Sequence, residues 1–513
     1  MYSRIYSASL YGIDALIVEI ETHLDNALPM FSVVGLPDSI VKESRDRVSA
    51  AIKNSDFIFP TKKITVNLAP ADVRKEGSAF DLPIALGILC AVGFIDNYNF
   101  DKIIALGELS LEGGLRPIHG TLSLALKAKE AGYTQLLLPK ANAEEGALVD
   151  GIDIIPIENL REAVDFINGN HRIEPQKVDI AKIFNDNFNI LQLNMSDVKG
   201  QENVKRAIEI SAAGGHNILL IGPPGSGKTM LAKRLPSVLP PLTLEESLET
   251  TKIHSIAGML EKEQALVTVR PFRSPHHTIS DAAMVGGGMA KIRPGEISLA
   301  HHGVLFLVEL PEFARNVLEV MRQPLEDKKI CISRTRLSIE YPANFMLACS
   351  MNPCPCGNYG DPTKECSCTP TQIQKYLGKI SGPLLDRIDI HVEVPAVKYQ
   401  ELSDKRLGES SEAIRERVIA AREIQLQRFA GINGVFKNAD IMTKDIRNFC
   451  QLDDPSQRIL EMAMKKMGLS ARAYDRILKV ARTIADLSAS ENIKSEHISE
   501  AIQYRNLDRE YWK

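Results

Sequence analysis

Hydrophobic and polar positions change rhythm three times along the chain. From residue 1 to about 170, alternating runs such as Ala15-Leu-Ile-Val-Glu-Ile20 and Lys63-Ile-Thr-Val-Asn-Leu68 predict half-buried strands. Between them, helical spacing of apolar side chains from Ser39 to Lys53 predicts an amphipathic helix. Asn170 to Asn194 is polar and uneven, which predicts a linker. From Asp197 to about Pro395, short apolar runs alternate with helical spacing, the pattern of a parallel α/β sheet. Beyond residue 400 the strand signal fades and helices take over, broken near Gly431-Ile-Asn-Gly434 and Asp453-Asp-Pro455. The expected division is therefore 1–170, a linker at 171–195, an α/β core at 196–398 and a helical lid at 399–513.

Composition narrows this only slightly. With 513 residues the chain is too long for one core. Its 61 basic and 65 acidic side chains nearly cancel, so a nucleic-acid surface would be a local patch, not a global field. Met1 to Leu10 lacks the charged-then-apolar order of a signal peptide, and no long apolar run suggests a membrane span, so a cytoplasmic protein is expected. Eight cysteines, four of them between 354 and 368, do not resemble a secreted disulfide framework in so long a chain.

The strongest chemical signal is Gly222, Pro223, Pro224, Gly225, Ser226, Gly227, Lys228 and Thr229, which fit G-x-x-x-x-G-K-S/T. An apolar strand, Asn217 to Ile221, precedes them, and a helical pattern, Met230 to Leu235, follows. In that setting glycines let backbone N–H groups surround phosphates, Lys228 supplies a point charge and Thr229 a hydroxyl for Mg²⁺. No N-K-x-D guanine signature occurs, so ATP is the expected nucleotide. A second strand, Gly303 to Val308, delivers Glu309, well placed to orient a water; the adjacent position, Val308, cannot bind the waters around Mg²⁺. A third ends in Asn352, which suits a γ-phosphate or lytic water and equally suits the turn before Pro353. Arg387 precedes an alternating strand, where it would reach a neighbouring subunit's phosphate or pair with Asp386 or Asp389. Arg472 opens a helix in the lid, either as a solvated cation or as a nucleotide contact.

The order of these motifs resembles an AAA+ ATPase. Arg270-Pro-Phe-Arg-Ser-Pro-His-His277, Gly286-Gly-Gly288, Arg293-Pro-Gly-Glu-Ile-Ser-Leu-Ala-His-His302 and Met351-Asn-Pro-Cys-Pro-Cys-Gly357 are similar to the magnesium-chelatase-like ATPases of the YifB/ComM type, along essentially the whole chain. The resemblance implies a hexameric ring and, from its ComM members, an ATP-driven DNA helicase that promotes branch migration when incoming DNA recombines. It also implies roles: Lys228 and Thr229 as Walker A, Glu309 as the Walker B glutamate, Asn352 as sensor 1, Arg387 as arginine finger and Arg472 as sensor 2. The family pattern has Asp where this chain has Val308, so slow hydrolysis with retained ATP binding is expected. Residues Leu106 to Gly120, Ala128 to Gly132 and Leu136 to Asn142 resemble the proteolytic domain of Lon-type proteases. The lysine of the Ser-Lys dyad falls at Leu124, and Ser78 has no base from that motif, so an inactive scaffold is expected. The implied fold is thus a Lon-protease-like α+β N-terminal domain, an AAA+ phosphate-loop α/β core and an α-helical C-terminal lid.

Two further groups carry chemistry. Cys354, Cys356, Cys366 and Cys368 form C-x-C-x9-C-x-C, four soft ligands for a structural Zn²⁺ or four free thiols in a reducing compartment. The other cysteines, Cys90, Cys331, Cys349 and Cys450, read as buried small residues. Lys291 and Arg293 on a Gly-rich stretch, and Lys328, Lys329, Arg334 and Arg336 on a basic hairpin, suit a phosphate backbone or simply solvent; the family resemblance favours single-stranded, forked or branched DNA. His276, His277, His301 and His302 lack ligand spacing and stay unassigned. Competing expectations are a chelatase-type motor acting on a partner protein and a nucleotide-gated DNA-binding ring with little turnover.

Overall fold

Alternation in the first residues closes into a long antiparallel pair, β1 (Tyr2–Tyr11) and β2 (Asp14–Asp25), turning at Gly12 with φ 64°. This is seen in a computed structural model that describes residues 1–71, 75, 77–96, 100–187, 193–261, 264–288, 292–334, 337–361, 364–397, 408–432 and 434–507. Strands β3 (Met30–Val34), β4 (Lys63–Ala69), β5 (Ile103–Ala105), β6 (Gln135–Pro139) and β7 (Asp153–Ile157) complete a mixed sheet in the order β3-β4-β2-β1-β5-β6-β7. Helix α1 (Ser39–Asn54) starts where Asp38 accepts the Val41 N–H at 2.7 Å. Helix α2 (Asp81–Val92), apolar all round, is buried between α1 and the sheet. On the opposite side, α3 (Thr121–Glu130) packs its leucines into a separate cluster.

The stretch expected to be only a linker contains a helix, Ile180–Asn187. Its apolar side chains Ile180, Ile183 and Phe184 fall at helical spacing and lean on the cluster under α3, so a few well-spaced residues outweigh the polar composition.

The second sheet is entirely parallel. Its strands β8 (Ile218–Ile221), β9 (Phe272–Arg273), β10 (Val304–Leu307), β13 (Met346–Met351) and β14 (Ile390–Glu393) lie in the order β9-β10-β13-β8-β14. Every residue of β8, β10 and β13 is buried, as expected of strands covered on both faces. Helix α5 (Glu202–Gly214) covers one face together with lid helices α8 (Ser411–Arg428) and α10 (Ala471–Leu487). With α9 (Asp454–Met467) and α11 (Ser495–Gln503) these complete a lid whose described residues form no strand. Within it the buried Asp486 carboxylate accepts from Arg428 (2.9 Å), Arg482 (3.1 Å) and Asn438 (2.8 Å). The N-terminal unit is tied to the core at α7 (Leu244–Ala257): Ser255 Oγ accepts the Gly120 N–H at 2.8 Å and donates to Glu145.

Strands β11 (Lys329–Arg334) and β12 (Leu337–Pro342) form the expected hairpin beside this sheet. Alternation along β11 turns Ile330 inward and Cys331 outward, so Cys331 is exposed and not the buried residue expected.

Candidate nucleotide site

Parallel strands bring their carboxyl ends to one edge, and there three sequence-predicted residues meet. Ile221 leads from β8 into the phosphate loop, Met351 from β13 into Asn352, and Leu307 from β10 through Val308 to Glu309. The loop's shape depends on its glycines. Gly225 and Gly227 hold φ of 78° and 88°, and a Cβ on Gly222 would lie 2.2 Å from the Val394 carbonyl. Gln201 braces the loop by donating to the Ser226 carbonyl at 2.9 Å and the Pro395 carbonyl at 2.8 Å. That brace sits in a separate helix N-terminus, which no motif pointed to.

The loop leads into helix α6 (Lys228–Ala232), which no side chain caps. Lys228 Nζ donates to the carbonyls of Gly222 (2.7 Å) and Pro223 (2.8 Å) and to Asn352 Oδ1 (3.2 Å). Burial pushes this amine down to about 8, and Glu309 pulls it back upward. A half-buried cation held by neutral oxygens at an uncapped helix start fits a phosphate, which brings the missing negative charge. Thr229 is exposed on the first turn. Glu309 is exposed too, at φ 58° and ψ 54°, a left-handed conformation uncommon for a side chain with a Cβ. Val308 is half-buried and packs on the apolar cluster beneath the loop helix.

The two arginines sit differently. Arg387 is buried, donating to the Pro383 carbonyl at 2.5 Å and to Glu326, a partner the sequence did not suggest. Asp389 instead pairs with Arg476 at 2.7 Å. Arg472 is exposed near the start of α10, 3.8 Å from Asp386.

Beside the phosphate loop the four cysteines of the 354–368 stretch converge. Sulfur separations are 3.4 Å (Cys354–Cys356), 3.7 Å (Cys354–Cys366) and 3.6 Å (Cys356–Cys366), and the Cys356 N–H points to Cys368 Sγ at 3.4 Å. Four thiolates around Zn²⁺ at about 2.3 Å would stand about 3.8 Å apart, so the set fits that ion. The cluster touches the nucleotide site: a Cβ on Gly357 would lie 2.4 Å from Pro224 Cδ.

A second grouping, Glu249 with His301 and His302, has the composition of a metal site, and His302 Nε2 lies 2.8 Å from the shared carboxylate, but His301 is held in the wrong tautomer to contribute. His301 Nδ1 accepts the Asn344 N–H at 3.0 Å, so Nε2 carries the ring's proton and donates to Glu249 at 3.1 Å. No lone pair remains there for a metal.

Among the proposed DNA contacts, Lys328 is paired with Asp440 at 2.7 Å and Lys329 with Glu340 at 3.0 Å. Arg293 is exposed, and Arg334 ends β11. Lys291 and Arg336 lie outside the described residues.

Three family models match the chain: "Subunit ChlI of Mg-chelatase" over residues 20–142, "Magnesium chelatase, subunit ChlI" over 194–402 and "Magnesium chelatase, subunit ChlI C-terminal" over 408–505. The chain is 45% identical to the uncharacterized protein YifB of Escherichia coli over 509 residues, 99% of this chain and 97% of that protein. It is 45% identical to the competence protein ComM of Haemophilus influenzae over 511 residues, 98% of this chain and 97% of that protein. It is also 28% identical over 149 residues to Lon protease 2 of Bacillus subtilis, 28% of this chain and 26% of that protein. The expected fold class therefore stands, with a Lon-like N-terminal region, a parallel α/β core and a helical C-terminal region. No described helix is long and apolar enough to cross a membrane. The chain belongs to the YifB/ComM family of magnesium-chelatase-like AAA+ ATPases.

Proposed function

We propose that this chain is an ATP-driven DNA helicase or translocase that works as a homohexameric ring in the cytoplasm and promotes branch migration during homologous recombination, as in natural transformation. The observation that carries the ATPase part is the convergence of Lys228, Asn352 and Glu309 on one sheet edge. The DNA part rests on likeness to a protein named for competence and on cations at the Gly-rich stretch and hairpin.

In this reading Gly222 to Lys228 hold the triphosphate, and Thr229 would hold Mg²⁺, whose bound charge eases phosphoryl transfer. Glu309 orients the attacking water and Asn352 positions it against the γ-phosphate. Arg387, released from Glu326, reaches the adjoining subunit's nucleotide, and Arg472 contacts the nucleotide of its own subunit. Val308 leaves the metal's waters without a carboxylate, which favours weak hydrolysis and keeps the nucleotide-gated DNA-binding ring as the second reading. Zn²⁺ on Cys354, Cys356, Cys366 and Cys368 braces the loop between Asn352 and Arg387. Residues 1–170 act as a peptidase-inactive scaffold: Ser78 donates its hydroxyl to Glu108, a carboxylate in place of a lysine base. The linker then runs over 171–195, the ATPase core over 196–398 and the lid over 399–513.

The test is ATP turnover with and without single-stranded and forked DNA. DNA stimulation supports the motor; DNA binding without any turnover favours the gated ring; no response to DNA sinks both and leaves a chelatase-type motor acting on a partner protein.

A further inference from the structure

Arg387 is stored where it cannot do the work proposed for it. An arginine that reaches an adjoining subunit has to stand clear of its own surface, yet only 8% of Arg387 is exposed. Its main chain is fixed on both sides. The Arg387 N–H donates to the Leu384 carbonyl at 3.0 Å, and Asn217 Nδ2, at the foot of β8, donates to the Arg387 carbonyl at 2.8 Å. Any move is therefore a rotation of the side chain.

Two contacts hold that side chain down. One guanidinium nitrogen donates to the Pro383 carbonyl at 2.5 Å and another to Glu326. Its Nε is shielded from solvent and, among the described residues, meets no acceptor. Burial pushes the arginine down, Glu326 pulls it back up, and the charges of Arg472 and Arg322 push it down further. Nearby acids serve other cations: Asp386 stands 3.8 Å from Arg472, Asp389 pairs with Arg476 at 2.7 Å, and Glu319 accepts from Arg322. Among the described residues, Glu326 is the carboxylate within ion-pair distance of Arg387, and its side chain is 54% exposed. A pair so open to water is weak, and a triphosphate gives an arginine more charge and more acceptor oxygens than one carboxylate does. Glu326 itself lies on the short helix Arg322–Asp327, outside every motif of the nucleotide site.

We propose that Glu326 is a positioning residue for Arg387, holding the arginine in store until the triphosphate of an adjoining subunit competes for it. This rests on the reading of Arg387 as an arginine finger. A subunit whose arginine is stored for part of the time is competent only for the remainder, so the pair weakens nucleotide-dependent contact between subunits by that fraction.

The test uses the full chain with Glu326→Gln, which keeps the size and removes the charge, with Arg387→Ala, and with both together. Phenylglyoxal labelling of Arg387 without nucleotide, read by peptide mass spectrometry, measures how often the arginine leaves its store. Sedimentation with Mg²⁺ and ATPγS gives the chain concentration at half-assembly. Glu326→Gln should speed the labelling about three- to tenfold and lower that concentration by a similar factor, with melting within a degree or two of the parent. Arg387→Ala should raise the concentration, and the double variant should match Arg387→Ala. Glu326→Ala repeats the test should the glutamine keep a hydrogen bond. Unchanged labelling in both Glu326 variants overturns the proposal, and so does faster labelling with assembly no easier than in the parent. Those failures leave Arg387→Ala impaired. A chain that does not assemble, or whose assembly ignores Arg387→Ala, overturns the finger reading instead and the proposal with it.

Discussion

Replacing Val308 by Asp tests the proposed chemistry most directly. Position 308 lies one step past the Leu307–Cys349 pair of β10 and β13. It shares a face with Phe306 and packs on the cluster that includes Leu231 and Ala232 of the loop helix, just after Thr229. A carboxylate there points towards the helix that begins with Lys228 and Thr229. Loss of half-buried valine surface costs about 1 kcal/mol, and partial desolvation of the new carboxylate about 1–3 kcal/mol, so the variant should melt lower than the parent without nucleotide. Turnover should move the other way. A properly aimed charged group at a phosphoryl-transfer site is worth about 3–4 kcal/mol, which is a gain of about 100- to 1000-fold in kcat. Phosphate release at saturating ATP across a Mg²⁺ titration measures the gain, and thermal melting with and without Mg²⁺ and ATP measures the cost. A folded variant whose kcat stays within about threefold and whose Mg²⁺ dependence does not move refutes the reasoning.

Three other outcomes follow from the geometry. Lys228 is depressed to about 8 only while free of phosphate, so ATP affinity should be flat below that pH and fall about tenfold per unit above it, with proton uptake on binding; calorimetry in buffers of different ionisation heat reads both. Asp486→Asn leaves Arg428 and Arg482 without their carboxylate and should cost about 3–5 kcal/mol in urea unfolding; a loss below about 1 kcal/mol contradicts the buried-network account. Cys366→Ser should remove about one zinc per chain by elemental analysis and, through the Gly357–Pro224 contact, weaken ATP binding; a parent protein purified without zinc, or unchanged affinity in the variant, counts against the brace.

What the sequence disclosed was local. The phosphate loop, its strand and its helix are contiguous, so one motif sufficed, and Asn352 could be placed because its strand is a continuous apolar run. The partners that hold these residues come from far away in the chain. Gln201 reaches Ser226 and Pro395, and Glu326 takes Arg387 in place of the adjacent acids that spacing favoured. The helix at Ile180–Asn187 was hidden by its polar neighbours, since composition averages away a few apolar positions at the right spacing. Adjacent histidines at 301 and 302 carried no usable signal, because the hydrogen bond that fixes the ring's proton comes from the backbone of Asn344.

The Lys328–Asp440 pair has a mechanical meaning. It fastens the foot of the hairpin to the lid through a buried carboxylate, the Asp440 side chain being only 3% exposed, and a lysine that stays 38% exposed. From that anchor β11 extends about 17 Å at the usual rise per residue. Ile330 and Ile332 of that strand also pack on the cluster under β10 and β13, so the hairpin is held at its foot by the lid and along its length by the core. The ion pair thus couples the foot of the hairpin to the lid, and cutting it by Lys328→Ala should let the two fluctuate independently.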